Sequence, residues 1–386
     1  MGKIAVAELV KSSFVSAIVV GDIDIERAGQ FCRNLGSDKL CALQLNVDEH
    51  EAMVSAMRDA DLVCSFVGPY YRYGTQVLRA AIEAQCDFLD VNDDYDATAD
   101  ALALHEDAQD AGITALIGMG ATPGLVNIAA RLGASKMDQV DEIHLRWNIS
   151  TADLDEWAAT AVVDHLFHAV TSTHPQYLNG RWVETQGMSG EEQLFLSEMG
   201  QVGVYYLGNS QAITLPRCIP DVRTVTTKGG FAGMDDFTRS LRELSLLGTG
   251  TLEIDGASVV PRDISTRLLK ELADRDPDIM PPPGFAARVS VAGIANKAPA
   301  RFQYELKGAG SFNHCAGVCA ATGALMLAQG HVTMPGVFAP EDCLVAENFL
   351  RRLVDHGIGL RETRELTHDL LGRDRGYSLR KQQTNF

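Results

Sequence analysis

Ala17-Ile18-Val19-Val20-Gly21-Asp22-Ile23-Asp24 decides the fold. Residues 17–21 form a short apolar run closed by a glycine and an acid. Residues 23–35 follow, with Ala28, Phe31, Cys32 and Leu35 recurring every three to four positions, as on one face of a helix. The unit then repeats. A strand pattern at 42–47 precedes a helical one at 49–58, with Asp48 where an N-cap belongs. Strands at 62–67, 88–91 and 113–117 alternate with helices at 75–85 and 99–111, and Gly118-Met119-Gly120 ends the series. Strands and helices in strict alternation, with short connections, require a parallel sheet covered by helices on both faces.

The pattern is entered at a helix, residues 3–11, rather than at a strand. Met1-Gly2-Lys3-Ile4 reads as the last glycine of a G-x-G-x-x-G turn running directly into that helix. The expected fold is therefore a Rossmann-type doubly wound α/β sheet whose first strand is missing from the chain. In the usual order that strand is central. Its loss would leave rows of buried backbone groups unpaired, at about 1–3 kcal/mol each, against a net domain stability of about 5–15 kcal/mol. The expectation is a true start upstream of Met1. A shortened protein whose sheet closes differently is the alternative.

After Pro123-Gly124 the rhythm breaks. Residues 142–149, 185–188, 202–206, 288–295 and 300–306 read as strands, 157–170 and 236–247 as helices, and the triple-proline stretch 279–284 as a stiff loop. Small apolar residues at 314–329 mark a buried helix, and 347–356 another. The expected division is a truncated dinucleotide-binding domain at 1–124, an α+β substrate and dimerisation domain at 125–308, a helical return to the first domain at 309–360, and a loosely attached tail at 361–386.

The chain of 386 residues carries 33 basic and 51 acidic side chains, a net charge of −18 that repels nucleic acid and anionic membranes. No apolar run approaches the ~20 residues of a membrane span, and no signal-peptide pattern opens the chain, so a cytoplasmic address is expected. Eight cysteines are scattered without metal-ligand spacing. His314, Cys315 and Cys319 share a helical face, but core packing is the preferred reading and no metal is expected.

The candidate chemistry collects at strand ends, where ligands of open parallel sheets bind. Asp22 ends its strand where a carboxylate accepts both hydroxyls of an adenosine ribose and repels a 2′-phosphate, so NAD is favoured over NADP. Gly2, as the remnant of the pyrophosphate turn, and Asp48 are further cofactor candidates. Gly68, Pro69 and Tyr70 follow the next strand, and Gly118 and Gly120 the last, as flanks for a nicotinamide. Asp90-Val91-Asn92-Asp93-Asp94 packs carboxylates that need an offsetting charge or helix N-terminus, and Asp94 is a catalytic candidate. In the second domain, Asn209, Thr214 and Arg217 are candidate substrate contacts. Arg217 suits an α-carboxylate, and Lys228, before Gly229-Gly230, suits acid/base work.

Together these segments resemble the saccharopine dehydrogenase-like oxidoreductases, the group of lysine 6-dehydrogenases and carboxynorspermidine dehydrogenases. The carrying pieces are Val19-Val20-Gly21-Asp22, Gly68-Pro69 with Gly74, Phe88-Leu89-Asp90 with Asp93-Asp94, and residues 118–127. Thr214-Leu215-Pro216-Arg217 with Lys228-Gly229-Gly230, Thr322-Gly323, and Gly336-Val337 with Pro340-Glu341 complete them. The resemblance implies a Rossmann domain, a substrate domain that dimerises, and hydride transfer at a C–N bond of an amino acid or polyamine-derived imine. Asn209 and Gln211 stand where the lysine-acting branch usually carries a His and an acid. A catalytically silent scaffold on the same body is the alternative reading.

Overall fold

The computed structural model describes residues 1–150, 160–275, 284–368, 377–378 and 382–385. The expected loop at 279–284 lies outside them except for Gly284. The chain divides into two compact units, one of Met1–Ile128 with Asn313–Gly357, the other of Ala129–Phe312 with Ile358–Phe386.

In the first unit every strand pair is parallel. Strands Leu62–Ser65, Asp87–Asp90, Thr114–Leu116 and Gly336–Phe338 form one sheet in that spatial order. Its middle is apolar on both faces, with Phe88, Leu89, Ala115 and Leu116 fully buried, as a sheet covered on both sides demands. Strands Ile18–Asp22 and Leu40–Gln44 form a separate pair, in register from Ile18 opposite Leu40 to Asp22 opposite Gln44. Among the described residues no strand joins the two sheets. The pair is poorly covered: Val19 is 56% exposed and Leu43 36%.

Helix Gly2–Leu9 opens the unit, and its Gly2 lies so close to Phe66 that a Cβ there would sit 3.2 Å from the ring. Helix Phe312–Ala328 is buried from Cys315 to Leu327 except at Leu325, with Cys315 and Cys319 both inaccessible. The return to this unit is not purely helical, because Gly336–Phe338 adds an edge strand beside Thr114–Leu116.

The second unit is built on an eleven-stranded sheet. Strand Gln139–Ser150 lies between Thr224–Ala232, parallel to it, and Phe285–Ala295, antiparallel. Ala298–Lys307 and Gly359–His368 extend one side, Gly200–Tyr206 and Glu192–Leu196 the other. Along Gln139–Ser150, Ile143, Leu145, Trp147 and Ile149 face one buried side while Glu142, His144 and Arg146 alternate to the polar one. Residues 361–368, expected in a loose tail, instead belong to a strand that pairs with Ala298–Lys307 over eight positions. Charged residues fall on both faces, Arg361 beside Glu362 and Arg364 beside Glu365, with Glu362 buried, so the sequence shows no strand-like alternation there.

Candidate functional site

The carboxyl ends of the first unit's strands gather most of the candidates. Asp22 closes its strand with one oxygen, Oδ1, accepting the Asp24 amide at 2.9 Å. Asp24 in turn caps helix Ile25–Leu35 by accepting from the Arg27 amide. The capping duty thus falls on Asp24, and Asp22 stays half-buried at the strand end.

Asp48 does not cap the next helix, which is His50–Met57 with Glu49 at the N-cap. Asp48 is exposed, and its amide donates to Asn46 Oδ1 at 3.1 Å. The loop is held by Gln76, whose Nε2 donates to the Val47 carbonyl at 2.6 Å.

Gly68 and Pro69 form a cis turn before helix Tyr70–Ala84, and nothing lies within 4 Å of a Cβ built on Gly68. That open space is what a planar ring needs to approach the backbone. Pro69 and Tyr70 are buried. Burial, reinforced by Asp93, Asp90 and Asp94, holds the Tyr70 phenol well above its ordinary pKa.

Gly118 is the turn residue for which no other type fits. Its φ is +72°, and a Cβ would meet Pro123 Cγ at 2.9 Å and the Asn92 carbonyl at 3.1 Å. Asp90 secures the turn: its Oδ1 accepts the Gly118 amide at 2.7 Å and the Asn92 amide at 3.1 Å, and its carbonyl accepts the Met119 amide at 2.7 Å. Burial outweighs those two hydrogen bonds and raises the Asp90 carboxyl to about 7.

Asp94, a catalytic candidate from sequence, is fully buried and turned toward backbone. Its Oδ2 accepts the Tyr71 amide at 2.9 Å in the first turn of helix Tyr70–Ala84, where a carboxylate also meets the positive end of the helix dipole. The charge crowding that the sequence left unexplained is thus partly offset by backbone amides.

In the second unit the candidates separate. Asn209 and Thr214 are each 2% exposed, around the start of helix Gln211–Cys218, whereas Arg217 is exposed on its last turn. Among the described residues no hydrogen bond or ion pair joins Arg217 to Lys228. Lys228 lies on strand Thr224–Ala232, directly opposite Arg146. Glu192 Oε2 receives Arg146 Nε at 2.7 Å and Lys228 Nζ at 3.2 Å. Lys228 Nζ also stands 4.8 Å from the centre of the Tyr206 ring. Burial, then the Arg146 charge, lowers the Lys228 pKa. For Glu192 the two cations outweigh burial and lower its pKa. Arg146 and Glu192 cannot be found from the sequence, because strand register, not spacing, brings them to Lys228.

Residues 1–116 match the model of the saccharopine dehydrogenase NADP-binding domain. That match covers 116 of the 386 residues. Among the chain's relatives, a carboxynorspermidine synthase of Vibrio cholerae serotype O1 is 24% identical over 352 residues, covering 84% of this chain and 83% of its own. A carboxyaminopropylagmatine dehydrogenase of Synechocystis sp. is 22% identical over 364 residues, covering 88% and 89%. The fold is shared with the apo saccharopine dehydrogenase (L-Glu forming) of Saccharomyces cerevisiae, at a TM-score of 0.69 and 16% identity over 94% of this chain and 98% of that one. At the level of class, these likenesses support an oxidoreductase with an NAD(P)-binding domain. No helix among the described residues is long and apolar enough to cross a membrane.

Proposed function

We propose that this oxidoreductase uses NAD to transfer hydride at a C–N bond of a lysine-like amino acid or a polyamine-derived imine. The observation that carries the reading is Asp22 at the strand end, with one oxygen committed to the Asp24 amide and a charge that repels a 2′-phosphate. The residues present fit the dinucleotide at both ends. Asp22 takes the adenosine ribose, and the open backbone at Gly68, with Pro69, Tyr70, Gly118 and Gly120, takes the nicotinamide ring. Gly2, at the start of its helix, faces the pyrophosphate. Bound there, the cofactor supplies the hydride acceptor or donor.

Lys228, with its lowered pKa, is the acid/base candidate. Arg217, exposed at the end of its helix, with Asn209 and Thr214, completes the substrate contacts. Two relatives named for carboxylated polyamine or agmatine derivatives support this substrate class. A cytoplasmic homodimer belongs to the same reading.

The split sheet favours a second reading, a catalytically silent binding protein, because the exposed two-stranded pair is a weak platform for Asp22. One experiment separates them. NADH is expected to raise the melting temperature, and Asp22→Ala to narrow the preference for NADH over NADPH by about tenfold, an affinity change of about 1.4 kcal/mol. No shift with either dinucleotide, read by differential scanning fluorimetry, would leave the silent protein standing.

A further inference from the structure

The acidic cluster at 90–94 does more than close a strand. The hydrogen-bonded ladder between Asp87–Asp90 and Thr114–Leu116 ends at Leu89 opposite Leu116. Beyond that point the sheet no longer holds the two strands together, and Asp90 takes over. Its carboxyl and its carbonyl capture two successive amides, Gly118 and Met119, of the glycine turn. The same Oδ1 receives the Asn92 amide, Asn92 Oδ1 receives the Asp94 amide at 2.9 Å, and Asp94 Oδ2 receives the Tyr71 amide at 2.9 Å. Tyr71 sits directly after Gly68-Pro69-Tyr70. A continuous chain of hydrogen bonds therefore runs from one glycine turn to the other, through side chains that are 2%, 1% and 0% exposed.

We propose that Asp90, Asn92 and Asp94 form a strut that sets the separation of the Gly68–Pro69 and Gly118–Gly120 turns, and so positions the nicotinamide half of the cofactor. The three are positioning residues; none is assigned contact with substrate or cofactor. The inference rests on the dinucleotide reading above and deepens it. Burial gives the strut its stiffness, since a buried hydrogen bond cannot be exchanged for one to water without exposing its partner. Gly118 adds to it, because its left-handed backbone admits no side chain and fixes where its amide points.

The strut reaches the turns assigned to the nicotinamide and not the end of Ile18–Asp22, so its loss should be felt by only half of the ligand. The test compares NADH with ADP-ribose, which lacks the nicotinamide ring, by isothermal titration calorimetry. Asn92→Leu removes the side-chain acceptor in the middle of the chain. It is expected to weaken NADH about tenfold, the equivalent of one lost hydrogen bond, while ADP-ribose changes less than about twofold. Asp90→Asn keeps an oxygen where both amides donate, and should bind NADH within about twofold of wild type. Asp90→Leu should behave as Asn92→Leu. Equal weakening of both ligands by Asn92→Leu and Asp90→Leu, or weakening of neither, overturns the strut while leaving the cofactor reading intact. A wild-type protein that binds neither ligand overturns both. Should Asp90→Leu fail to fold, Asn92→Leu and the rescue by Asp90→Asn decide between the outcomes.

Discussion

Asp90 is where burial and charge disagree most openly. Its carboxyl is raised to about 7 when folded, against about 3.9 in an unfolded chain. The folded state therefore binds the proton more tightly. The favourable contribution is complete below about pH 4, declines as pH rises through the folded value, and becomes a penalty of a few kcal/mol above about pH 7. Since both donors, Gly118 and Asn92, bond the same Oδ1, Asp90→Asn keeps both bonds and loses the titration. The variant should be more stable than wild type at pH 8 by about 1 kcal/mol or more, and the gap should close toward pH 5. Urea unfolding at the two pH values measures it, and a gap independent of pH would contradict the assignment. Of the candidate site, the placement of the turn glycines, Tyr70 and Asp22 is legible, because each sits next to a strand end that local pattern reveals. Asp94 was legible as a residue but not as a cap, since the amide it accepts belongs to Tyr71, 23 positions away. Arg146 and Glu192 were hidden for the same reason: Glu192 lies 36 residues from the Lys228 it pairs with.

Helices and strands differ in how much of their cause is local. The helix Phe312–Ala328 announces itself through small apolar residues on every side, the mark of complete burial. Those small residues have work at two contacts. A Cβ on Gly317 would meet Ile4 Cβ at 2.7 Å and the Met1 carbonyl at 2.8 Å, and one on Gly323 would meet Met119 Cγ at 2.4 Å. Gly317→Ala should gain about 1 kcal/mol in helix propensity. It should lose more to overpacking, because the obstacles are a backbone oxygen and a β-carbon that cannot swing aside. A net loss of about 1–2 kcal/mol is expected in denaturant titration; an increase would show that helix Gly2–Leu9 is not seated as described. Strand Thr224–Ala232 shows the opposite case. Local propensity argues against a strand at Lys228-Gly229-Gly230, yet Gly229 underlies the Trp147 ring, where a Cβ would come within 2.2 Å, and Gly230 faces the Gly203 carbonyl at the same distance. The glycines are there for neighbours that no sequence window contains. Strand Thr173–Leu178, with a proline at its third position, is hidden on the same grounds.

At the scale of the whole molecule the sheets are unequal. The alternation of strands and helices identifies the class of the first unit from sequence. What it could not give was the outcome, two parallel sheets where one was expected, since strand pairing is decided by partners distant in the chain. A pair of strands alone is marginal in water. This one leaves Val19 56% exposed, while Phe88, Leu89 and Leu116 in the other sheet are fully buried. Local opening should follow that difference. The amides of Ile18–Asp22 and Leu40–Gln44 should exchange with solvent at least about a hundredfold faster than those of Asp87–Asp90 and of the central strand Gln139–Ser150, a difference of about 2.7 kcal/mol in opening free energy. If Asp22 holds the adenosine ribose, part of the NADH binding energy goes into ordering this pair, and saturating NADH should slow exchange there more than anywhere else in the first unit. Hydrogen–deuterium exchange read by mass spectrometry tests both statements on one sample. Protection equal to that of the buried strands before ligand is added would mean that the pair is braced by pairing this structure does not contain. Fast exchange that NADH leaves untouched would place the adenosine elsewhere and take Asp22 out of the site.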